Sequence, residues 1–143
     1  MYSLKTAAIA FLITGVFLGK AYAQHPITVT INSISRDHQI VGNVIGLTET
    51  ARKNHKMVVF VKTDKWYIHP YAQGGDGKSW AAIAPDGSWK ISTVKRDFPA
   101  SSTAALVVTM GSKVPSPIKD LNSIPHIAIF VKELEGTSDF NKL

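Results

Sequence analysis

Past residue 24, apolar residues in this chain recur at every second position, and no segment holds the 3.6-residue period of a helix. Successive side chains of an extended strand point to opposite faces, so such alternation demands a chain of half-buried strands. Ile27, Val29 and Ile31 alternate with Thr28, Thr30 and Asn32, which predicts a first strand. Gln39–Thr48 is a second, in which Gly42 and Gly46 mark a bulge or the close approach of another backbone. Met57–Lys62 (MVVFVK) is apolar on both faces and rich in β-branched residues, as a central strand requires. Trp66–His69 is expected to continue that strand past a bend at Thr63–Lys65.

Turn chemistry divides the remainder. Pro85-Asp86-Gly87 separates Trp80–Ala84 from Ser88–Thr93 and predicts a hairpin, because Pro presets the first turn position and Gly supplies positive φ. Thr103–Met110 reads as a buried strand. In His126–Glu133, Ile127, Ile129 and Val131 alternate with Ala128, Phe130 and Lys132. Gly111–Pro125 carries Pro115, Pro117 and Pro125 and reads as irregular, with a helical turn near Lys119–Leu121. Arg52–Lys56 reads as a solvated loop between apolar runs. Seven to eight short strands with no helix long enough for a crossover imply antiparallel pairing. The expected fold is all-β: a two-sheet antiparallel sandwich, immunoglobulin-like or fibronectin-III-like, with a small jelly roll or barrel as the alternative.

The first 23 residues have a different character. Lys5 lies in a short basic start, Thr6–Gly19 is an apolar run, and Ala21-Tyr22-Ala23 is a small-x-small cleavage site. The run is shorter than the roughly 20 residues a membrane span needs, so the reading is a cleaved signal peptide rather than a transmembrane anchor. Residues 24–143 then form a single domain exported to the periplasm or medium. The chain has no cysteine, so its stability must come from packing and sheet ladders rather than disulfides. The formal charge of +6 is scattered, without a basic stripe interleaved with aromatics, which argues against a nucleic-acid partner.

Residues able to bind something concentrate mid-chain. Trp66 and Tyr67 are adjacent on a strand, so they cannot both face the core, and one ring must reach the outer face or an edge. Flat rings suit sugar binding because pyranose C–H faces stack on them while polar neighbours take the hydroxyls. The candidate ring contacts are Trp66, Tyr67, Tyr71 and Trp80, with His69, Gln73 and Asp76 as polar partners. Trp89 leads the alternation Trp89, Ile91, Thr93 and belongs in the core.

Catalytic signatures are missing. His25, His38, His55, His69 and His126 have no metal-ligand spacing. A copper site at an N-terminal His25 would need cleavage after Gln24, which the small-residue rule disfavours. Asp76 has no acidic neighbours with which to hold calcium. Ser35, Ser101 and Ser102 lack a nucleophile-elbow context. No cofactor and no enzyme activity are expected.

From Ile40 to Trp89 the sequence resembles a small β-sandwich domain of secreted bacterial proteins, sometimes appended to glycoside hydrolases. The resemblance rests on Ile40, Gly42, Val44 and Gly46, on Trp66-Tyr67 with His69-Pro70, and on Asp86-Gly87-Ser88-Trp89. It implies a sandwich in a carbohydrate context. The expected function is an exported, non-catalytic binding or accessory domain for a polysaccharide or cell-surface ligand. The alternative is a structural module that binds an exported protein through an open strand edge.

Overall fold

The computed structural model describes residues 25–35, 39–70, 79–92 and 100–134. Seven strands form two antiparallel sheets: β1 (Thr28–Ser35), β2 (Gln39–Ile45), β3 (His55–Lys62), β4 (Trp66–Ile68), β5 (Ser88–Ser92), β6 (Ser102–Thr109) and β7 (Ala128–Glu133). One sheet has the order β1-β2-β5 and the other β4-β3-β6-β7. This is the expected all-β two-sheet antiparallel sandwich. The predicted leader, residues 1–23, lies outside the described residues. Among the described residues no helix is long and apolar enough to cross a membrane.

The core between the sheets is built from the alternation. Val29, Ile31, Ile40, Val44, Trp89 and Ile91 enter it from one sheet, and Met57, Val59, Val61, Ala105 and Val107 from the other. The phase of β1 is reset midway. Ile31 pairs with Gly42 but Ser33 with Val41, so Asn32 is the extra residue of a β-bulge. The bulge returns Ile34 to the inner face, where it packs against the core. Gly42 meets the expectation of a close backbone approach. A Cβ there would collide with the Thr30 carbonyl oxygen and the Trp89 indole.

The Pro85-Asp86-Gly87 turn forms as read. The Gly87 N–H donates to Ala84 O at 2.9 Å, and Gly87 takes φ +86°. Asp86 Oδ1 accepts from the backbone N–H and hydroxyl of Ser88 at 2.9 and 2.6 Å, which holds its carboxyl below the usual carboxylate range.

Three expectations are corrected. Trp66–Ile68 does not extend β3; it folds back antiparallel beside it, with Phe60 opposite Ile68 and Lys62 opposite Trp66. Trp80–Ala84 is not a strand but an extended connection that touches β3 through a single bridge, Met57 to Ala81. Glu49–Asn54 is a short helix, α1, where a loop was expected, and Lys56 lies inside β3.

The four-stranded sheet is apolar on both sides. Its far face carries Val58, Phe60, Trp66, Ala104, Leu106 and Val108, covered by Leu121 and Ile124. The cover is the stretch expected to be irregular. Its helical turn exists as a 3-10 turn at Leu121–Ser123, capped by Asp120, whose side chain accepts the Asn122 N–H at 2.9 Å.

Candidate functional site

The edge of β3 opposite β6 is used three times. Residues 60–62 pair with β4, Val59 O accepts the His69 N–H at 2.8 Å, and Met57 exchanges two 2.9 Å backbone bonds with Ala81. The described contacts on this edge are thus made by residues 66–69 and by Ala81. By the same register Trp80 stands opposite Val58, on the far face of the sheet.

A third segment completes the site. Residues 112–118 lie beside β4, held at two points: Trp66 and Ile118 exchange two 2.9 Å backbone bonds, and the Ile68 N–H donates to Ser116 Oγ at 2.9 Å. Their burial alternates, with Ser112, Val114, Ser116 and Ile118 partly covered and Lys113, Pro115, Pro117 and Lys119 exposed. The prolines occupy outward positions, where a missing N–H costs no ladder bond.

Between these walls lies an open cleft of about 380 Å³. Val58, Ile68 and Val114 form its apolar lining and Trp80 supplies the aromatic ring. Lys56, Ser79, Ser112 and Ser116 bring the polar groups. Lys56 Nζ donates to Ser112 O at 3.0 Å and lies 5.9 Å from the centre of the Trp80 ring, so carbonyl and indole together fix the ammonium beside the cleft.

Of the candidate residues, Trp80 lies in this cleft. Trp66 is 8% exposed in the far-face core, with Lys62 Nζ 5.6 Å from its ring centre. Tyr67 faces the opposite side, as adjacent strand residues must. It pairs with Val61, and its hydroxyl donates to Asp64 Oδ1 at 3.0 Å. That bond, with a second from the Thr63 hydroxyl, lowers the Asp64 pKa. His69 is fully buried. Tyr71, Gln73 and Asp76 lie outside the described residues. Trp66, Tyr67 and Trp80 therefore do not share one platform.

Lys56, Ser79, Ser112, Val114 and Ser116 were not anticipated. The alternation of small or apolar residues with Lys and Pro along Ser112–Lys119 is the signal that would have revealed the extended wall. No group of three or more His, Cys, Asp or Glu residues able to hold a metal occurs among the described residues. Comparison with protein-family models, curated proteins and solved structures finds no match to this chain.

Proposed function

We propose that this protein is an exported, non-catalytic binding domain that takes a carbohydrate into the cleft beside Trp80. The observation that carries the reading is one half-buried indole in an open cleft whose polar lining consists of hydroxyls and an ammonium. An indole face stacks on the C–H side of a pyranose, and serine hydroxyls suit its hydroxyl groups. The polar groups among the described lining residues are the Lys56 ammonium and the serines Ser79, Ser112 and Ser116.

The test is retention of residues 24–143 on soluble and insoluble polysaccharides, by affinity electrophoresis and pull-down. Selective retardation, competed by free oligosaccharide and lost in Trp80→Ala at unchanged circular dichroism, is the expected result. Absence of retention on every glycan overturns the reading. The reading left would then be the protein-binding module, with β7 as one outer strand of its sheet that a partner strand could meet.

A further inference from the structure

We infer that the ligand of the Trp80 cleft is an anionic glycan, bearing carboxylate or sulfate groups, rather than a neutral one. This rests on the carbohydrate reading above and narrows it. The partners of Lys56 are neutral: the Ser112 carbonyl at 3.0 Å and the face of the Trp80 indole. Both orient the ammonium, but neither cancels its charge. The ion pair formed among the described residues, Lys53 with Glu49, is elsewhere, on α1. The cleft thus presents a positioned cation without a counter-ion among the described residues that line it.

The Ser116 hydroxyl is compatible with the same ligand. Ser116 Oγ accepts the Ile68 N–H at 2.9 Å, so its own proton is left for a different acceptor. The Lys56 ammonium carries three protons, of which the Ser112 carbonyl takes one. The lining therefore offers donors, and its natural complement is a ligand rich in acceptors with net negative charge. A neutral sugar would stack equally well on Trp80 but would leave the ammonium unpaired.

Calorimetric titration of residues 24–143 separates the possibilities with three probes: an oligogalacturonate tetramer (carboxylate), a heparin-derived tetrasaccharide (sulfate) and neutral cellotetraose. At least one anionic probe should bind. Its affinity should fall about tenfold in Lys56→Met, the scale of one charge-assisted hydrogen bond. It should also fall when salt is raised from about 0.05 to 0.5 M, because exposed charges are then screened. Lys56→Arg should recover most of the loss, and Trp80→Ala should remove binding altogether. The relative strength of the two anionic probes assigns the charged group.

Cellotetraose binding as tightly as the anionic probes, unaffected by salt and by Lys56→Met, would overturn the anionic inference and leave the carbohydrate reading standing. Failure of all three probes to bind a protein whose thermal melt is cooperative would overturn both. Anionic binding that persists in both Lys56→Met and Trp80→Ala would place the ligand elsewhere and overturn the assignment to this cleft.

Discussion

Trp80 and Trp89 stand on either side of the Pro85-Asp86-Gly87 turn and have opposite fates. Trp89 is 2% exposed on the inner face of β5, stacked over the bare backbone of Gly42. Its Nε1 is buried without a hydrogen-bond partner, so the ring is held by packing alone. Trp89→Ala should cost about 3–5 kcal/mol in urea denaturation, reduced slightly because an unsatisfied N–H is removed with the ring. Tyr67→Ala, which removes a half-buried ring at the margin, should cost markedly less. Equal losses in the two variants would show that the inner-face assignment of Trp89 is wrong. The pattern Trp89, Ile91 placed the ring correctly from sequence. Trp66 was harder: its strand alternation was legible, but its burial depends on Leu121 and Ile124 arriving from far along the chain.

Among the elements, α1 shows where periodicity fails. Six residues make fewer than two turns, and none is buried, so no apolar stripe exists to be read. The helix is specified by its ends. Thr48 Oγ1 accepts the Ala51 N–H at 3.2 Å, Glu49 sits in the first turn, and Arg52 and Lys53 sit in the last, each sign matching the helix dipole. The Lys53–Glu49 pair at 2.8 Å is exposed and adds little. Arg52 Nη1 donates to Leu47 O at 2.7 Å and ties the helix back to its own entry. Thr48→Ala should therefore lower stability by about 1 kcal/mol, measured by chemical denaturation. No change would mean that this tether, not the cap, fixes the helix. Residues 112–118 make a related point. Their prolines signalled irregularity, and the segment forms no strand, yet its outward-facing prolines leave Ile118 free to bridge Trp66.

For the molecule as a whole, the decisive feature is the second core. A two-sheet sandwich needs one apolar layer, and this protein has two because Val58, Phe60, Leu106 and Val108 face away from the first. Leu121 closes that outer layer at 5% exposure. Leu121→Ala should cost about 2–5 kcal/mol by denaturant titration, as a buried leucine does. A loss under about 0.5 kcal/mol, typical of surface changes, would mean that the cover contributes nothing. The same cover makes the cleft, since Ser112, Val114 and Ser116 belong to its first part.

The sequence by itself determined most of the strands, the Pro85-Asp86-Gly87 turn, the antiparallel sandwich, the tight approach at Gly42 and the core role of Trp89, but not the fold-back of Trp66–Ile68 or the irregular path of Trp80–Ala84. The features it determined follow from local chemistry: side-chain period, β-branching, fixed φ at Pro and the missing Cβ of Gly. The doubly apolar Met57–Lys62 was legible as a central strand. Tertiary structure alone decided what would cover it, which aromatic ring would line the cleft, and that Lys56 would meet Ser112 across 56 residues. Those outcomes depend on where distant segments return to the sheet, and that return is governed by contacts no local pattern encodes.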